Sequence, residues 1–156
     1  AAPPMVRHDP DDPSELGPAL ALLGNDAADV IDSSWIDNGP VWMGVRLRSA
    51  QHVLDLATPT GSARRFDVGV VGLHPADQPV AIEVRAFFDD PDGSIREDPV
   101  TGSLNASLAQ WLIADDVVQA PYRSSQTTGV VSVEEAAGEI WVGGAVDRRV
   151  TGTITI

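Results

Sequence analysis

Arg96-Glu97-Asp98-Pro99-Val100-Thr101-Gly102-Ser103 leads straight into the apolar run Leu104-Asn105-Ala106-Ser107-Leu108-Ala109-Gln110-Trp111-Leu112-Ile113. Pro99 fixes φ and removes a backbone donor, stiffening the turn after Asp98. Gly102 lets backbone come close to a ligand. The spacing predicts a helix over 102–113. The N–H groups of Gly102, Ser103 and Leu104 would be free at its start, and the helix dipole favours a carboxylate or phosphate there. Asp98 adds a carboxylate, and Ser103 a hydroxyl that can donate one hydrogen bond and accept two. The same residues also suit a plain helix start, with Asp98 or Thr101 as N-cap and Pro99 and Gly102 shaping the turn.

Leu104, Leu108, Trp111 and Leu112 cover most of this helix, while Ser103, Ser107 and Gln110 form one stripe. So apolar a helix must be covered on most sides, and a curved sheet wrapped around it is the natural container. Strand-like runs lie on both sides of it. Asp29–Ile36 and Val41–Leu47 flank the turn Asp37-Asn38-Gly39-Pro40. Phe66–Leu73 and Val80–Phe88 follow the loop Thr58–Arg65. In the second of these strands Ile82, Val84 and Ala86 alternate with Glu83 and Arg85. Gly129–Glu134, Glu139–Val146 and Thr151–Ile156 are expected as short strands, with Gly143-Gly144 marking a bulge or a close backbone approach. Ser14 is expected to cap a helix ending at Gly24, and Ser49 one ending at Leu56. Asp89–Thr101 reads as a loop. The expected class is α+β: a mixed sheet curled barrel-like around one central apolar helix. Residues 1–13, with four prolines and three aspartates, read as an arm or linker before a domain over 14–156.

The chain has 156 residues, enough for one domain with a real core. A formal charge of −13 repels phosphate backbones and argues against nucleic acid as partner. No run approaches the ~18 apolar residues of a membrane span, and no basic-then-apolar leader opens the sequence. With no cysteine, a disulfide scaffold, a thiol nucleophile and a thiolate metal site are all excluded. His8, His52 and His74 are far apart and fit no metal-ligand spacing. Asp89, Asp90 and Asp92 lack the full calcium-loop pattern, and Gly143-Gly144 has no helix and lysine to make a phosphate loop. Trp35, Trp42, Trp111 and Trp141 read as core or rim packing. The composition fits a cytoplasmic protein without a cofactor.

Val84-Arg85-Ala86-Phe87-Phe88, then Gly93, then Glu97-Asp98-Pro99-Val100-Thr101-Gly102-Ser103 resembles the signature of the PhzF-like phenazine-biosynthesis family. Asp37-Asn38-Gly39-Pro40 with Trp42, and Val142-Gly143-Gly144-Ala145-Val146 with Gly152, support the likeness on either flank. The resemblance implies a diaminopimelate-epimerase-like fold of two pseudo-symmetric halves with a site between them. This chain resembles the C-terminal half. By matching position, Asp98 corresponds to a supporting active-site aspartate and Ser103 to an active-site serine. Thr101, Gly102 and Ser103 fall on the substrate-binding cradle. The family's main acid/base glutamate belongs to the N-terminal half and has no counterpart here. The chain departs from the family pattern at Ser125-Gln126-Thr127-Thr128-Gly129, where a longer glycine-containing turn is expected. Thiol-based relatives place a cysteine where this chain has Asp98 to Ser103, so carboxylate-based proton transfer is the chemistry implied. The implied function is a cofactor-independent isomerase acting on a small carboxylate-bearing substrate. Its partner would be an N-terminal half or a second copy of the chain, as a dimer. The alternative is a non-catalytic domain of that fold that binds a small anion or a protein.

Overall fold

In the computed structural model, residues 1–10, 13–24, 27–59 and 67–153 are described. Among them are nine strands and three α-helices. In chain order they are β1 (Arg7–Pro10), α1 (Pro13–Leu23), β2 (Val30–Asp37), β3 (Val41–Leu47), α2 (Ala50–Leu54), β4 (Asp67–Leu73), β5 (Ile82–Asp89), β6 (Ile95–Asp98), α3 (Gly102–Ala114), β7 (Tyr122–Gln126), β8 (Gly129–Ala136) and β9 (Glu139–Gly143). They form one mixed sheet in the order β1-β2-β3-β4-β5-β7-β8-β9, with β6 paired to β5 off that path.

Two neighbouring pairs are parallel, β3 with β4 and β5 with β7. A parallel pair needs a crossover. The first crossover carries α2, and the second carries β6 and α3. Both faces of the sheet are therefore covered, and β3 and β4 are buried along nearly their whole length. On one face Ile36, Trp42, Val84 and Ala86 pack with Leu104, Leu108, Trp111 and Leu112 of α3. On the other, Trp35, Met43, Val45, Val70 and Phe87 pack with Leu20 of α1 and Val53 next to α2's end. Alternation along each strand sorts the side chains between these two cores. Close approach of α3 depends on a bare backbone at Gly44, where a Cβ would lie 2.8 Å from the Trp111 ring.

α3 touches β2 and β3 as well as β8 and β9, strands from opposite ends of the sheet order. The chain's first residues bridge those ends. Val6 N–H donates to Asp37 O (2.6 Å), Gln110 Nε2 to Pro3 O (2.8 Å), and Ala2 N–H to Ile140 O (2.7 Å). The β-ladder itself stays open between β1 and β9.

Several expectations hold closely. β3 has the expected bounds, the Asn38-Gly39 turn joins β2 to β3 with Gly39 at φ +132°, and Ser49 caps α2. Gly24 ends α1 at φ +65°. α1 begins at Pro13, so Ser14 lies inside it, and the Ser14 side chain is outside the described residues. Residues 7–10 of the expected arm are an edge strand. The expected loop 89–101 contains β6, which runs back along β5. β9 stops at Gly143, so Gly143-Gly144 ends the strand rather than bulging within it. Residues 151–153 are not in a strand; 154–156, Phe66 and most of the 58–65 loop lie outside the described residues. β7 was not expected. Its inward positions are Tyr122, Ser124 and Gln126, all buried, and two of the three are polar. Trp35, Trp42 and Trp111 are core, whereas Trp141 is 46% exposed.

Candidate functional site

The β5–β6 hairpin turns at Gly93, with φ +83°. β6 then returns with Glu97 opposite Phe87 and Asp98 opposite Ala86. Because the strand repeat is two residues, these adjacent acids face opposite sides of the sheet.

Glu97 meets Arg85 in a two-pronged pair, at 2.8 Å to Nε and 2.6 Å to Nη2. Thr127 Oγ1 also donates to it at 2.9 Å. Arg85 further donates through Nη1 to Leu56 O and through Nη2 to Thr58 Oγ1, and lies over the Phe87 ring. The Arg85 guanidinium holds the Glu97 carboxyl below the usual carboxylate range, against the opposing effect of burial. Glu97 is thereby committed to structure.

Asp98 faces α3. Its Oδ2 accepts from Thr101 Oγ1 at 2.5 Å. Beneath this pair lies a buried amide cluster. Gln126, fully buried, donates through Nε2 to Asp98 O (2.9 Å) and Thr101 Oγ1 (3.0 Å). Its Oε1 accepts from Thr101 N–H (3.0 Å) and Asn105 Nδ2 (2.8 Å). Asn105 Nδ2 also donates to Thr101 O at 2.9 Å. So dense a network fixes the strand-to-helix turn in one geometry, although Asn105 Oδ1 is buried without a partner among the described residues.

This arrangement determines what α3 offers at its start. Thr101 occupies the N-cap position, but its side chain caps no helix N–H. Its hydroxyl turns back to Asp98, and Asp98 is engaged with that hydroxyl instead of the helix. The expected N-cap position is thus Thr101, but without a side-chain capping bond. The first helical bond is Asn105 N–H to Thr101 O, at 3.1 Å. Among the described residues, the N–H groups of Gly102, Ser103 and Leu104 have no acceptor. The Ser103 hydroxyl, half-buried, likewise has no hydrogen-bond partner among them. Beside Gly102 opens a largely apolar cleft of about 470 Å³, lined by Val100, Gly102, Gly129, Val130, Val142 and Gly143.

Asp98, Thr101, Gly102 and Ser103 thus stand together at one turn. Asp98 and Thr101 touch directly; Gly102 and Ser103 follow on the open first turn of the helix. Sequence reasoning missed Asn105 and Gln126. The available signal was an Asn one turn after Thr101 inside an otherwise apolar helix, and a Gln in the Ser125–Gly129 stretch that departs from the family pattern.

The fold is thus a mixed α+β sheet with an apolar helix crossing one face and starting beside an aspartate. Residues 2–143 match the family described as phenazine biosynthesis-like protein, and the chain belongs to that family. In fold it is similar to the crystal structure of the Bacillus anthracis phenazine biosynthesis protein of the PhzF family. That similarity has a TM-score of 0.64 at 13% identity, covering 91% of this chain and 54% of that one. The chain thus spans about half the length of this solved relative. No curated protein matches it.

Proposed function

We propose that this chain forms one wall of a proton-transfer cleft in a cofactor-independent isomerase acting on small carboxylate-bearing substrates. The observation that carries the reading is the joint one at the start of α3. Three N–H groups without an acceptor among the described residues, and the Ser103 hydroxyl, lie one turn from a carboxylate whose orientation is set by Thr101. The N–H groups would hold the substrate carboxylate and the negative charge that develops on it when the neighbouring carbon loses its proton. A glutamate from a second half of the fold would take that proton and return it to another position. Asp98 would orient the substrate through Oδ1, since Oδ2 is occupied. In this reading the sheet curls around α3 as one half of a diaminopimelate-epimerase-like protein, in keeping with helix contacts to strands at both sheet ends. A cytoplasmic location belongs to the same proposal. Among the described residues, no helix is long and apolar enough to cross a membrane.

The test uses protein carrying both halves, incubated in deuterated water with a panel of cyclic and amino-acid carboxylates. Incorporation of deuterium at carbon is followed by NMR. Exchange that drops in Asp98→Ala supports the reading; exchange that survives at full rate removes the role given to Asp98.

A second reading is a non-catalytic domain that binds a small anion or a protein. It is favoured by the exposure of Val100, Val130 and Trp141. Carboxylate binding at 102–104 without exchange in the two-half protein would support it.

A further inference from the structure

The buried amide of Gln126 has only one orientation that satisfies its surroundings. Asp98 O, a carbonyl, can only accept, so the NH₂ end must face it. Thr101 N–H and Asn105 Nδ2 can only donate, so the carbonyl end must face them. A flip would set two donors against NH₂ and two oxygens against each other. With Nε2 fixed, its second proton is aimed at Thr101 Oγ1. That hydroxyl receives a donor on one side, so its own proton is free only for Asp98 Oδ2, at 2.5 Å.

From this we infer that Gln126 is a positioning residue of the site. It sets the direction of a chain of hydrogen bonds, Asn105 to Gln126 to Thr101 to Asp98, that ends on Oδ2 and leaves Oδ1 of Asp98 without a partner among the described residues. The consequence for function rests on the proposed proton-transfer reading; the direction of the chain does not. Gln126 lies 25 residues from Thr101 in sequence and has no exposed surface, so it acts only through Asp98 and Thr101. Because the same amide also bonds the Asp98 carbonyl and the Thr101 N–H, it joins β7 to the turn that opens α3.

The experiment has two arms. In the first, the Thr101 hydroxyl proton is sought by proton NMR of the chain as it stands. It is expected as a slowly exchanging signal with a cross-peak to the Gln126 carboxamide protons, absent in Thr101→Val and kept in Thr101→Ser. In Gln126→Glu the substituted carboxyl, while ionised, cannot donate to Thr101, and the hydroxyl can turn away from Asp98. The signal should then vanish or exchange faster by about tenfold or more, the scale of a charge-assisted hydrogen bond. If the buried carboxylate prevents folding, Gln126→Met removes the donor without adding charge and should give the same loss. An unchanged signal in a folded Gln126 variant overturns the inference, as does its absence from the unsubstituted chain. In the second arm, any acid that exchanges deuterium in the two-half protein is assayed with the same variants. A fall in kcat of about tenfold with KM held within about twofold is expected. A rise in KM at constant kcat overturns the positioning role. Should no acid exchange, the proposed isomerase reading fails, while the hydroxyl signal still decides the direction of the chain.

Discussion

Gly69 on β4 lies directly beneath Leu104, the third residue of α3, and a Cβ at position 69 would stand 2.2 Å from Leu104 Cδ1. Leu104 is fully buried and has little room to yield. The height of the helix start above the sheet is therefore fixed by the absence of a side chain at one strand position. Gly69→Ala is expected to cost about 1–3 kcal/mol in urea unfolding, the usual range for overpacking. Adding Leu104→Ala should recover part of that loss, so the double variant is more stable than the sum of the two singles predicts.

Glu97 and Arg85 make stability depend on acid. The folded carboxyl is held below its ordinary range, chiefly by the guanidinium. The folded state thus binds this proton less readily than the unfolded chain does. The stabilisation is fully present above the unfolded value of about 4.3 and is lost as pH falls through the lower folded value. Glu97→Gln should cost about 1.5–3 kcal/mol at neutral pH. Its Tm should fall less steeply than the parent's through the acid limb. Parallel melting curves down that limb would count against this account.

Asp67 has the opposite sign. Burial raises its carboxyl above the ordinary range, with the Asp89 charge adding a smaller push in the same direction. The charged form is penalised in the folded state, so this group costs stability above its folded value, and protonation relieves the cost. Asp67→Asn should raise Tm at neutral pH, with the gain shrinking as pH falls through the raised folded value and gone below the unfolded value of about 3.9. The carboxamide oxygen can still accept the Asp89 backbone hydrogen bond. A loss of stability at neutral pH would show that the charge is not the governing cost.

Ser103 separates fold from function. Its hydroxyl holds no described residue, so Ser103→Ala should leave unfolding free energy within about 0.5 kcal/mol. Chemical-shift changes of the 102–104 amides on titration with benzoate should nevertheless weaken. Equal binding by the variant would assign the anion to the backbone alone.

How much was legible in the sequence follows from where each signal resides. α3 announced itself because Leu104, Leu108, Trp111 and Leu112 repeat at helical spacing, and its N-terminus because Pro99 and Gly102 punctuate the chain. β3 and the Asn38-Gly39 turn were equally plain. β1 and β6 are four residues each, too short for alternation to show. β7 hid because Ser124 and Gln126 fill core positions where an apolar residue marks a strand. Asp98, Thr101, Gly102 and Ser103 could be proposed as one turn because they adjoin one another in sequence. Gln126 and Asn105 serve the same turn but are recognisable only once folding brings β7 under it, since a buried amide is justified by partners distant in sequence.

The opening residues alter how the sheet ends should be regarded. Through Ala2 and Val6 they span from the β2–β3 turn to β9, with Pro3 pinned on Gln110 in between. A sheet with two remote borders exposes two independent templates for stray strands. Here the borders share a single seam, stitched by a stretch of chain shorter than most strands. Whatever lifts that stitching unveils both borders at once, together with the Gln110 side of α3. Self-association and fraying of β9 should therefore begin as one event, governed by residues far from β9 in sequence.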